Sequence, residues 1–255
     1  MNVKRPTNLL FANTAHRNAT SSPLARTRKV RTRVPSDTRK IGIFDVSARA
    51  GLLFDLLEII SRRQKMFTFY PVETSVPMGL GTIGELWLAD LRQTCSSDDL
   101  KQVDQNIIAE EYFPFLKQAR KAVDVDILVG LFAPMLAFVE VKGLKKKYHW
   151  NYFSLGLGEE VAVSVHGLRE YAQRVGRPFE TAVAILTLAQ VWSALYGVRF
   201  HPESRGCAFD FCENRDDLME VIRRGKLCPD CFAVIPRDAR ESVEKCLLAI
   251  TEYSR

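Results

Sequence analysis

The sequence predicts an α/β (α+β) fold, and three stretches carry that prediction. Lys40 to Val46 is a short apolar strand, Ala50 to Arg63 has helical spacing, and Phe67 to Val72 is rich in strand-forming residues, which makes an opening βαβ unit. Val125 to Phe132 is a nearly unbroken apolar run of strand length, the pattern of a central strand covered on both faces. Pro178 to Tyr196 is apolar on almost every side, so it is expected to be a helix buried in the core.

The remaining elements follow from the same rules. In the first helix Leu52, Leu53, Leu56, Leu57, Ile59 and Ile60 make one inward face. The loop from Val76 contains Gly79-x-Gly81-x-x-Gly84, but no Lys-Ser/Thr follows, so it is not read as a phosphate loop. Helices are expected over Ile83 to Arg92 and Leu100 to Lys121. Lys142 to Lys147 reads as a basic turn, with the aromatics Tyr148, Trp150 and Tyr152 and His149 beside it. Trp150 to Leu155 and Val161 to Val165 read as two strands joined at Gly156 to Gly158, and His166 is expected to begin a helix. Pro178 suits the first turn of the buried helix and Gly197 its end. Pro236 to Glu252 closes the chain as an amphipathic helix, with Val243, Cys246, Leu247 and Ile250 on one face.

Four of the six cysteines lie between Gly197 and the last helix, as Cys207-x4-Cys212 and Cys228-x2-Cys231 with fifteen residues between the pairs. Two short loops that each supply two thiolates are the usual sequence form of a structural zinc site. In Cys228-Pro-Asp-Cys231 the proline and aspartate favour the tight turn that aims both sulfurs inward. His201, six positions ahead of Cys207, is a substitute ligand for one thiolate. The expected cofactor is one structural zinc ion on Cys207, Cys212, Cys228 and Cys231, within a knuckle region spanning residues 201–235. Cys95 and Cys246 are left as buried or incidental thiols.

This order of strands, a late buried helix ending at glycine, then histidine and the two cysteine pairs resembles the archaemetzincins. These are small zinc metallopeptidases of the metzincin type, whose pattern is HExxHxxGxxH followed by Cys-x4-Cys and Cys-x2-Cys. Gly197 stands at the family's glycine, His201 lies close to its third histidine, and Leu128 to Arg169 looks like the strands ahead of its active-site helix. The resemblance spans roughly residues 40 to 235. It implies a zincin-like mixed sheet with helices and a C-terminal four-cysteine zinc knuckle. The catalytic positions depart from the pattern: counting back from Gly197, the two helix histidines fall at Gln190 and Ala194 and the glutamate at Val191. Alanine and valine have no lone pairs, and glutamine is neither a good zinc ligand nor a base. His201 also comes four residues after Gly197, where the family spacing is three. The resemblance therefore implies a degenerate peptidase frame used in recognition or regulation, with another protein as the expected partner.

Charge separates the chain into two expected parts. Residues 1 to 40 hold ten Lys or Arg against the single acid Asp37, while the remainder carries 26 basic and 29 acidic residues. Residues 1–38 read as a disordered basic arm, because they lack the apolar surface needed to offset ordering entropy; residues 39–255 form the folded domain. The arm offers phosphate contacts to a nucleic acid, as do Lys145 to Lys147, and this is one alternative function. A second is a hydrolase with a relocated site built from His201, Glu203, Asp210 and Asp216. No stretch of signal-peptide type is present in the first 40 residues, and no apolar run reaches the ~20 residues of a bilayer span. A cytoplasmic setting with no membrane contact is expected, with organelle import through the Arg-rich N-terminus as the alternative.

Overall fold

A computed structural model describes residues 38–75, 106–143, 145–212 and 214–254. Residues 1–37 of the basic arm, the glycine loop from Val76, the helix expected over Ile83 to Arg92, the first residues of that expected from Leu100, and Cys95 lie outside the described residues.

The main sheet has the order β2-β1-β4-β8-β7. Its strands are β1 (Arg39–Asp45), β2 (Phe67–Pro71), β4 (Ile127–Phe132), β8 (Glu160–Ser164) and the edge strand β7 (Ser154–Leu157). The first four run parallel, and β7 returns antiparallel to β8 through the turn at Gly158. A smaller sheet joins β3 (Asn106–Ile108), β5 (Met135–Lys142) and β6 (Lys145–Tyr152) in the order β3-β5-β6. The α/β class expected from the sequence holds, with two mixed sheets.

Strand periodicity explains the layering. Successive side chains point to opposite faces, and β1, β4 and β8 feed two separate cores. Ile41, Ile43, Ile127, Val129, Leu131, Val161 and Val163 join one cluster, while Phe44, Leu128, Phe132 and Ala162 join the other. All six residues of β4 are buried, as a twice-covered central strand requires. Helix α1 (Leu53–Arg63) lies on the first face, and α2 (Ala109–Val123) packs Phe113, Leu116 and Ala119 on the second. The second face comes so close to β1 that a Cβ on Gly42 would meet Leu128 Cδ1 at 2.8 Å and Val72 Cγ2 at 2.9 Å.

On the first face, α3 (Leu168–Arg174) leads into α4 (Phe179–Tyr196), of which every residue from Phe179 to Trp192 is buried. Helix α4 has the length and apolar composition of a membrane span, yet its side chains fill the protein core. Pro178 precedes its first turn, and Gly197 ends it at φ 70°, a left-handed conformation that glycine adopts without Cβ strain. Arg177 donates to the carbonyls of Ile250 and Thr251 at 2.8 and 3.0 Å, which ties the start of α4 to the last turn of α7 (Arg237–Glu252). Between the cysteine pairs the chain forms α5 (Arg215–Arg224), and α6 (Pro229–Val234) begins within the second pair.

Several elements differ from the sequence expectation: the run Trp150 to Leu155 is divided between the end of β6 and the start of β7, which lie in different sheets, and β5, α5 and α6 have no counterpart in it. All four lysines of Lys142 to Lys147 lie in the paired strands β5 and β6 at the end of their hairpin, and none of them is in a turn. The helix expected from Leu100 starts only at Ala109, because Asn106 to Ile108 pair with β5.

Candidate metal centre

Helix α4 delivers the chain at Gly197 to a loop that folds back on itself. His201 N–H donates to Phe209 O at 3.0 Å and Phe211 N–H to His201 O at 2.8 Å, so the loop returns beside its own start. The Asp210 carboxylate locks the inside of that loop. Its Oδ2 accepts the N–H of Arg205 at 2.7 Å and of Cys207 at 3.0 Å, and its side chain is fully buried. Ala208 N–H then donates to Lys226 O at 2.9 Å, which brings the second cysteine pair alongside the first.

The result is a group of four donors. One ligand atom each from His201, Cys207, Cys228 and Cys231 lies within 4.8 Å of every other. Tetrahedral zinc with Zn–S bonds of about 2.3 Å needs sulfurs about 3.8 Å apart, and His201 Nε2 stands 3.6 Å from Cys228 Sγ. The backbone already favours sulfur anions here. Cys207 Sγ accepts the N–H of Phe209 at 3.4 Å and of Cys228 at 3.2 Å, and Cys228 Sγ accepts Cys231 N–H at 3.5 Å as the N-cap of α6. The Cys231 thiol donating to its sulfur, together with those backbone N–H groups, holds the Cys207 thiol well below the usual range despite burial. Cys231 is pushed up in turn, since it keeps the proton the two sulfurs share. A dication would replace such a proton and leave all three sulfurs as thiolates.

The histidine is held for the same task. Its Nδ1 lies 2.9 Å from Glu203 O, so Nδ1 carries the proton and Nε2 turns its lone pair toward the sulfurs. Asp210 Oδ1 stands behind that ring at 3.4 Å from Nδ1; this buried oxygen has no hydrogen-bond partner, so its contribution is electrostatic. A ligating imidazole backed by a carbonyl and a carboxylate is the usual support of a zinc-bound histidine. The donor set of His201, Cys207, Cys228 and Cys231 suits one zinc ion. Four protein donors close a tetrahedral site and leave no position for a substrate or a reacting water.

The remaining sequence candidates fall elsewhere. Cys212 lies outside the four-donor group: its thiol donates to Asp210 O at 3.5 Å, and burial, with the nearby Asp210 and Asp217 charges, pushes it up to about 12. Gln190 faces the edge strand, where its Nε2 donates to Ser154 Oγ at 2.9 Å and Gly156 leaves room for its Oε1. Val191 is buried in the core and Ala194 is exposed. Of the proposed hydrolytic set, His201, Glu203 and Asp210 do come together, with His201 Nδ1 3.8 Å from Glu203 Oε2 and 3.4 Å from Asp210 Oδ1, whereas Asp216 is exposed in the first turn of α5; His201 Nδ1 is engaged by Glu203 O and its Nε2 faces the Cys228 sulfur. His166 lies in the turn between β8 and α3, two residues ahead of the helix expected to begin with it, with its N–H on Ser164 Oγ at 3.1 Å. His149 is stacked on Phe138 with 4.5 Å between ring centroids, and burial holds it below its ordinary range. Asp210, a candidate hydrolytic acid in the sequence, is a buried carboxylate engaged with backbone N–H groups, and its position between two phenylalanines is the sequence sign of that burial.

No family model matches the chain, and no curated protein matches it. Among solved structures, a zinc-dependent peptidase from Methanocorpusculum labreanum is similar at 15% identity and a TM-score of 0.39, over 76% of this chain and 98% of that one.

Proposed function

We propose that this chain is a zinc-stabilised, catalytically degenerate protein, archaemetzincin-like in its frame, that acts by recognising or regulating another protein. One observation carries the reading. The metal-binding group among the described residues is a closed set of three cysteines and one histidine, and the histidine nearest the peptidase pattern belongs to it. The positions that would hold a catalytic zinc and its base are Gln190, Val191 and Ala194, of which the first is hydrogen-bonded to Ser154 and the second is core. A zinc held in this way stabilises a fold without activating water.

Metal analysis joined to a hydrolysis assay tests the proposal. The purified chain should carry one zinc and give no chelator-sensitive turnover of a mixed fluorogenic peptide library. A second bound zinc, or turnover that chelation abolishes and zinc restores, would overturn it in favour of the hydrolase alternative. The nucleic-acid alternative rests on the basic arm and on Lys145 to Lys147, which are exposed at the tip of the β5–β6 hairpin.

A further inference from the structure

The four donors are not equally enclosed. A cleft of about 350 Å³ reaches His201 and Cys231 but does not touch Cys207 or Cys228. Its walls include Val234, Arg199, Arg205 and Asp230. The His201 side chain keeps 16% of its surface exposed, and it is the one imidazole in a set whose other donors are sulfurs. Of the two donors that an arriving ligand meets there, a neutral imidazole would be held on a dication more weakly than the Cys231 thiolate.

Two of the wall residues form an ion pair that spans the site. Arg205 lies in the loop between His201 and Cys207, and Asp230 lies in the first turn of α6, between Cys228 and Cys231. Arg205 Nη1 meets Asp230 Oδ2 at 2.6 Å, so the pair joins the two ligand-bearing segments. The arginine is anchored from behind: its N–H is on Asp210 Oδ2 at 2.7 Å and its carbonyl accepts Arg224 Nη1 at 3.3 Å. Its guanidinium also reaches the Cys228 sulfur. Three thiolates and a neutral imidazole around a dication leave one net negative charge, and Arg205 is the cation at its edge. Both partners are well exposed, which makes a contact that opens readily and not a permanent seal.

We propose that this cleft is the exchange port of the metal site, through which a small chelating ligand displaces His201 first, and that the Arg205–Asp230 pair sets the rate. The inference rests on the zinc reading above. In the exchange the bond from the metal to His201 Nε2 breaks as one to a donor atom of the incoming ligand forms; no electron changes hands, and any proton the incoming donor carries is released to solvent.

The test uses the full chain loaded with zinc and an excess of the chromogenic chelator 4-(2-pyridylazo)resorcinol, followed by absorbance. Release should speed up linearly with chelator concentration. Asp230→Asn, on an exposed side chain that keeps its shape, and Arg205→Ala should each release zinc roughly threefold to fivefold faster, the scale of an exposed ion pair. Lys117→Ala removes an exposed side chain of α2 that is no part of the cleft, and it should release at the wild-type rate. His201→Cys, which removes the neutral donor, should slow release. Wild-type rates in both Asp230→Asn and Arg205→Ala at intact stoichiometry would overturn the port while leaving the zinc site standing, as would a rate independent of chelator concentration. A wild-type chain that binds no zinc at all would overturn the site reading itself, and the port with it.

Discussion

Asp210 is the residue whose removal most clearly separates fold from metal. Its buried Oδ2 is the acceptor for the N–H groups of Arg205 and Cys207, and its Oδ1 backs the His201 ring at 3.4 Å. Asp210→Ala orphans both donors. The Cys207 N–H is buried and loses about 2–3 kcal/mol with a charged acceptor, whereas the Arg205 N–H is partly solvated and loses about 1 kcal/mol, so the loop should lose about 3–4 kcal/mol. Against a total stability of about 5–15 kcal/mol for a domain, that is a large share. Asp210→Asn acts differently. The amide oxygen can still serve the two backbone donors, but the amide NH2 then faces His201 Nδ1–H, donor against donor. Folding without metal should fall by only about 1 kcal/mol, while zinc affinity drops about 10-fold to 100-fold, the usual effect of losing a group that orients a ligating histidine. Guanidinium unfolding in excess chelator reads the first quantity, and competition with a zinc-binding dye reads the second. An Asp210→Asn chain with zinc affinity within about twofold of wild type would refute the role given to this carboxylate.

Two further outcomes follow from the core. Gly42→Ala places a methyl group against Leu128 and Val72 in a packed layer, and it should cost about 1–3 kcal/mol in urea unfolding with an unchanged slope; a loss below about 0.5 kcal/mol would show that the two faces of β1 are looser than described. Burial pushes the Cys246 thiol up to about 12, and Cys212 stands at about 12 as well. A thiol raised in the folded state stabilises it fully below the unfolded value near 9, and that stabilisation is lost as pH rises from about 9 toward 12. Unfolding free energy should therefore fall above pH ~9 by up to ~1.4 kcal/mol per pH unit for each thiol. Cys246→Ala should make that alkaline decline shallower, and equal slopes in variant and wild type would contradict the burial argument.

The parts of the fold legible in the sequence are those whose burial is uniform. Strand β4 is buried at all six positions and α4 along fourteen consecutive residues, so each shows as an apolar run of its own length. The β7–β8 hairpin shows through its glycines. Strand β5 was hidden because its burial declines along its length, from Met135 at the core to Lys142 at the tip, with no alternation from residue to residue. Helix α5 had good signals that the cysteine pairs masked. Asn214 caps it by accepting Asp217 N–H at 2.9 Å, acids open it, arginines close it, and Gly225 ends it. The cysteine spacing located the metal centre but did not encode its fourth donor. That choice depends on the backbone bridge between His201 and Asp210, a contact between residues nine apart that places the imidazole by the sulfurs and turns Cys212 to a carbonyl. Spacing of thiols carries no information about such a bridge.

The central claim is that one zinc ion is held by His201, Cys207, Cys228 and Cys231, and X-ray absorption at the zinc edge of the purified full chain tests it most directly. The account predicts three sulfurs at about 2.3 Å and one imidazole nitrogen at about 2.0 Å, unchanged in Cys212→Ser. A shell of four sulfurs that loses one in Cys212→Ser would contradict it.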